Sequence, residues 1–95
     1  MPMNYIAVSE ATYLDGYRIS LTFNTGESGE VDLGDLIHRY AIAEPLRNPQ
    51  NFARFYLDSW PTLAWECGFD VAPESLYARA TGKLFSLPQP SNSPL

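Results

Sequence analysis

Tyr17 to Phe23 alternate without a fault, and that alternation limits the fold more than any other feature of the chain. Tyr17, Ile19, Leu21 and Phe23 fall on one side; Arg18, Ser20 and Thr22 fall on the other. Strand side chains repeat every two residues, so this segment reads as a strand with one buried and one wet face. A sheet that is wet on one side is an antiparallel one. Asp15-Gly16 precedes the strand, a pair favoured in tight hairpin turns because both central positions need positive φ. Tyr5 to Leu14 is then its partner.

The register of that hairpin carries a conflict. A two-residue loop sets Leu14 opposite Tyr17, Thr12 opposite Ile19 and Glu10 opposite Leu21. Glu10 would enter the core beside Val8 and Ile6, where a charge is costly. A bulge near Ser9 to Ala11, or a longer loop, removes the conflict, so an irregularity is expected there.

Asn24-Thr25-Gly26 makes a second turn, and Glu27 to Leu33 returns as a third strand. Leu33, Leu36, Ile37 and Tyr40 then recur at one helical face. Asp32 and Asp35 stand at the front of this short helix and His38 and Arg39 at its back, as the helix dipole prefers. Helix capping is the expected role of both acids. Glu44-Pro45-Leu46 reads as a break. Asn48 reads as an N-cap with Pro49 at the first helical position, opening a short helix to about Ala53 that buries Phe52.

Phe55 to Asp58 and Leu63 to Glu66 read as two further strands, with Ser59-Trp60-Pro61 as the turn between them. The stretch Thr62 to Tyr77 then packs an apolar run, the Cys67-Gly68 turn, a lone Asp70 and a helix begun by Pro73, and supplies a lid for the sheet. The helix runs to about Ala80, carries Leu76, Tyr77 and Ala80 as its apolar stripe, and stops at Gly82. The expected architecture is α+β: an N-terminal antiparallel meander, short helices, a further β-hairpin and a C-terminal helix. Residues 1–82 read as one domain and 83–95, rich in Pro and Ser, as an extended tail.

Composition excludes more than it selects. With one cysteine, Cys67, the chain cannot form an internal disulfide. The segment MPMNYIAVSE lacks the basic region and apolar length of a signal peptide, and no apolar run reaches a membrane span, so a cytoplasmic protein is expected. The net charge of −5 repels phosphate backbones and disfavours direct nucleic-acid binding. Cys67 and His38 could form a nucleophile pair only in contact, and nothing in their spacing brings them together. No CxxC or His pair suggests a metal, and no phosphate loop or cofactor signature is present.

In order, the signals are Phe23 with Gly26, Val31-Asp32-Leu33, Pro45 to Phe52, Thr62 to Trp65, and Asp70 to Tyr77. The series resembles a small bacterial family known as domain of unknown function 2442, over roughly residues 5–80. It departs at Trp65-Glu66-Cys67-Gly68-Phe69-Asp70, where the family usually has W-P-N-G-x-D. The resemblance implies a small α+β fold and no established activity. It also implies a setting, since members are often encoded beside another short protein in arrangements suggesting toxin–antitoxin pairs. Some members carry an added helix-turn-helix domain, for which this chain leaves no room.

Asp70, between Phe69 and Val71, is the acid of most interest, either as a cap for nearby backbone N–H groups or as a site acid. Trp60, in a turn, and Tyr13, Tyr40 and Tyr56 are the candidate interaction surface, since Trp and Tyr offer contact area at low entropy cost. The alternative for each is to fold back onto a thin core. The expected function is a non-enzymatic protein–protein interaction module, antitoxin-like in the version the resemblance implies. A homo-oligomeric module pairing through sheet edges and an acidic nucleic-acid mimic are the alternatives.

Overall fold

The computed structural model describes residues 5–59 and 62–82. Trp60 and the 83–95 tail lie outside the described residues. Three antiparallel strands, β1 (Val8–Asp15), β2 (Arg18–Phe23) and β3 (Ser28–Asp32), form a meander in the order β1-β2-β3. Three short helical pieces follow: α1 (Gly34–Arg39), a 3-10 helix (Ala41–Arg47) and α2 (Pro49–Phe52). A second sheet pairs β4 (Tyr56–Leu57) with β5 (Leu63–Ala64), and α3 (Pro73–Thr81) closes the chain. The expected α+β architecture is the observed one.

The conflict at Glu10 is resolved by bulges at both ends of β1. The pairing slips between Val8 and Glu10 and again between Tyr13 and Asp15. Glu10 thereby faces Thr22 on the wet side, while Val8, Ala11 and Tyr13 face Phe23, Leu21 and Ile19. The hairpin loop is displaced by one residue from Asp15-Gly16: Asp15 still pairs with Arg18, so Gly16 and Tyr17 make the turn. Gly16, at φ +48°, supplies the left-handed backbone. Tyr17 is therefore not a strand residue. Its ring leaves the sheet and packs edge-on against Phe52, 5.4 Å between centroids.

The core lies between the inner face of the meander and the layer made by the helices and the second sheet. Ile19, Leu21, Leu33, Ile37, Phe52, Leu63 and Leu76 are completely buried. Each such side chain contributes about 1.5–3 kcal/mol relative to exposure. Trp65 is the pillar. Its indole stacks on Phe52, 5.4 Å between centroids and 29° between planes, and its Nε1–H donates to the Phe52 carbonyl at 2.8 Å. That bond fixes α2 against β5.

Several local expectations change in the fold. Asp35 does not cap α1, whose N-cap is Leu33 with no side-chain bond. Asp32 does serve the start of the helix, since its Oδ1 accepts from the Gly34 N–H at 2.9 Å. Tyr40 leaves the apolar face of α1 because the helix ends at Arg39 and Tyr40 is extended. Pro45 does not break the chain. Its fixed φ suits the 3-10 helix that runs through it, and Ala43 and Leu46, three residues apart, bury the inner edge of that helix. Asn48 caps α2 as expected, its side chain accepting from the Gln50 N–H at 3.0 Å.

Helix α3 lies across β3. At Gly29 the two backbones approach so closely that a Cβ there would sit 2.3 Å from the Ala80 carbonyl oxygen. Further along, Arg79 makes a fork to both carboxylate oxygens of Asp35, at 2.9 and 2.8 Å, and Tyr77 donates its hydroxyl to Glu27. Gly82, left-handed at φ +75°, ends the helix as the sequence predicts.

Candidate interaction face

The 3-10 helix and the turn after Trp65 together shape one side of the molecule. The turn is tight because Gly68 adopts φ +98°, letting its N–H reach the Trp65 carbonyl at 2.9 Å. A Cβ on Gly68 would meet the Ile42 Cδ1 at 3.4 Å, so the 3-10 helix and the turn touch there. Two open concavities each take residues from both elements, with α2 and β4 completing the first and α1 and α3 the second. One, of about 520 Å³, is lined by Pro45, Arg54, Tyr56, Trp65, Glu66 and Cys67, among others. The other, of about 480 Å³, includes Arg39, Tyr40, Ile42, Phe69, Asp70 and Arg79 in its lining.

Apolar side chains stand out of this face. Tyr40 is 46% exposed and Ile42 is 52% exposed, and the Tyr40 ring lies 6.2 Å from that of Phe69, which is buried. Tyr56 is 48% and Leu57 37% exposed on the adjoining hairpin. An aromatic or branched side chain half in water gains by being covered, and a buried ring beneath it holds it in place.

Two arginines of the face are unspent. The other described arginines are committed. Arg18 is held between Asp15 and Glu30, whose hydrogen bonds and charges raise its pKa further. Arg79 is held by Asp35, and its hydrogen bonds and charge lower the Asp35 pKa to about 2. Arg47 donates to the carbonyls of Ile37 and His38, and Tyr17 donates its hydroxyl to the Arg47 carbonyl. Among the described residues, Arg39 and Arg54 have side chains with no hydrogen bond or ion pair. One lines each concavity.

The residues singled out from the sequence separate here. Tyr40 and Tyr56 are on the face. Tyr13 is not an exposed aromatic: it is half-buried, packs on Phe52 at 6.2 Å and donates its hydroxyl to the Gly16 carbonyl. Its register opposite Ile19 turns it inward. Trp60 lies outside the described residues. Asp70 is exposed in the wall of the second concavity. It does not cap α3, whose N-cap is Ala72 with no side-chain bond. His38 and Cys67 are not brought together, as Cys67 lines the first concavity while His38 bonds back to the Gly34 carbonyl and rests against Tyr17. Ile42, Arg39 and Arg54 escape sequence reasoning. An exposed Ile carries no pattern, and whether an arginine is paired depends on the fold.

Among the described residues no group of His, Cys, Asp and Glu could hold a metal, and no helix is long and apolar enough to cross a membrane. A family model described as a protein of unknown function, DUF2442, matches residues 8–82. No curated protein matches the chain. A similar solved structure is that of a candidate DNA-binding protein, NE0471, from Nitrosomonas europaea ATCC 19718. The two superpose with a TM-score of 0.71 at 28% identity, over 86% of this chain and 54% of that one. The chain thus spans about half the length of that protein.

Proposed function

The chain belongs to the DUF2442 family, whose function is unknown, and from that premise we propose that it is a non-enzymatic protein-binding module. Its docking face is the surface of Tyr40 and Ile42 over the second concavity. The observation that carries this reading is the pair of half-exposed apolar side chains, 46% and 52%, standing beside the unpaired Arg39. Apolar anchors with an uncommitted guanidinium at their edge suit a protein surface, because the anchors gain from burial and the arginine from a new hydrogen-bonding partner. In its most specific form the partner is a short protein encoded alongside, held in an antitoxin-like complex.

A second reading comes from the DNA-binding name given to NE0471. Nearly half of that protein lies outside the likeness, so its name does not place a DNA contact in the shared part. Two unpaired arginines favour phosphate binding; a net charge of −5 opposes it.

The test is affinity capture from the native lysate with the tagged protein and with a Tyr40→Ala/Ile42→Ser variant, at low and high salt, beside a gel-shift series on duplex DNA. A protein partner retained at high salt by the wild type and lost by the variant supports the module. DNA binding that falls steeply with salt, with no such partner, replaces it with the second reading.

A further inference from the structure

The turn after Trp65 carries the chain back alongside β5. The Trp65 N–H donates to the Phe69 carbonyl at 3.0 Å and the Val71 N–H to the Leu63 carbonyl at 3.3 Å, with Ala64 and Asp70 facing each other between these bonds. Residues 69–71 thus extend the second sheet by one bridge. Phe69 and Val71 send buried side chains inward, while Asp70 and Ala72 are exposed.

The bond pattern fixes where the remaining main-chain groups point. Bonds on both sides of Ala64 and Asp70, and none between the two, mark a non-hydrogen-bonded pair, in which Asp70 turns its N–H and carbonyl away from β5. The Ala72 N–H, two residues on, points the same way by alternation, and Pro73 then ends the run because it has no N–H. Among the described residues no hydrogen bond reaches these three outward groups. The residues that carry them line the second concavity, together with Tyr40 and Ile42. An edge with unpaired donors and acceptors is a template for another strand. Extended peptides exploit such edges, taking affinity from main-chain bonds and specificity from alternate side chains.

We propose that the partner enters as an extended segment that adds a strand at Asp70, taking the Asp70 N–H and carbonyl and the Ala72 N–H. This rests on the reading of Tyr40 and Ile42 as a docking face and specifies what that face receives. Whichever way the segment runs, its residue opposite Asp70 lies on the exposed side with Asp70, and the two flanking residues point inward. The inward side is that of Phe69, whose ring lies 6.2 Å from the Tyr40 ring, so the flanking residues are apolar and cover Tyr40. The residue between them is basic. It meets the Asp70 carboxylate, which has no ion pair among the described residues, on a chain with a net charge of −5. The occupant is thus a protein segment that reads apolar–basic–apolar.

A random-peptide phage library selected on the immobilised protein supplies the probe. The selected peptides should share an apolar–basic–apolar run, and their affinity is then read by fluorescence polarisation. Ala72→Pro is the decisive variant. Ala72 already sits at φ −59°, within the range proline imposes, so the change removes an N–H that the fold does not use. It should weaken the peptides by about tenfold, the worth of one main-chain hydrogen bond, while the urea midpoint stays at or above that of the wild type. N-methylation of a peptide, one residue at a time, should weaken it at alternate positions only, since every second amide faces the Asp70 edge. Should Ala72→Pro lower the midpoint, that alternation alone decides. Peptides that need Tyr40 and Ile42 yet ignore Ala72→Pro and show no alternation overturn strand addition and leave the docking face standing. Peptides lost with Ala72→Pro but retained by Tyr40→Ala/Ile42→Ser overturn the docking face and leave the edge. A library that yields no binder, or only binders indifferent to both variants, overturns both.

Discussion

Adding one carbon at Gly29 should destabilise this protein although ordinary propensity argues the reverse. Gly in a strand interior is worse than Ala by roughly 0.5–1 kcal/mol, because glycine has more freedom to lose on folding. On that ground Gly29→Ala would stabilise β3. The fold reverses the sign. The new Cβ would stand 2.3 Å from the Ala80 oxygen and 3.0 Å from its carbonyl carbon. Both are backbone atoms, so no rotamer change relieves them and α3 must move off the strand. Overpacking of this kind costs about 1–3 kcal/mol. That displacement also strains the Arg79–Asp35 and Tyr77–Glu27 contacts on the same helix. Urea denaturation should give a lower midpoint at nearly constant slope. The melting temperature should fall by about 4–8 °C per kcal/mol for a domain of this size. Because the obstacle is the main chain, Ala80→Gly should not rescue Gly29→Ala. A neutral or stabilised Gly29→Ala would refute the close approach, and so would rescue by Ala80→Gly.

Trp65→Phe keeps a ring but removes the donor to the buried Phe52 carbonyl, and should cost about 1–3 kcal/mol in chemical denaturation. Asn48→Ala deletes the cap of α2 and should cost about 1 kcal/mol by the same measurement. Asp35 has its pKa lowered from 3.8 to about 2 by the Arg79 fork, so the unfolded chain takes up a proton there before the folded one does. The contribution of the pair is complete above the unfolded value and is lost as pH falls toward 2. The two side chains are 31% and 51% exposed, so solvent screening holds the effect to about 0.2–1 kcal/mol. Stability measured against pH should accordingly fall less steeply in that window for Asp35→Asn than for the wild type.

The meander was legible because its information is local: alternation, turn pairs and the cost of burying Glu10 together demanded the irregularity found at Ser9. The cap at Asn48, the stop at Gly82 and the start at Pro73 were legible for the same reason. What was hidden depends on contacts between distant residues. The Asp35 carboxylate suits both a helix N-terminus and an ion pair, and only the arrival of Arg79 from α3 supplies the second. Tyr13 and Tyr40 are alike as residues. A one-residue shift of register turns the first inward, and a helix that stops one residue early leaves the second outside. The proposed interaction face was half visible, through Tyr40 and Tyr56. Its remaining members, Ile42, Arg39 and Arg54, are defined by a 3-10 helix running through a proline and by the acids that do not reach them.

The placement of α3 also bears on the order in which the molecule assembles. The strands of each sheet are joined by short connections, and α1, the 3-10 helix and α2 succeed one another along the chain. Such contacts close small loops and form early at little entropic cost. The docking of α3 on β3 joins ends separated by most of the chain, from Gly29 to Ala80. It is a long closure, and we predict that it forms on the native side of the folding barrier. Changes at that junction should therefore accelerate unfolding while leaving the refolding rate nearly untouched, whereas changes in the β1–β2 hairpin should slow refolding.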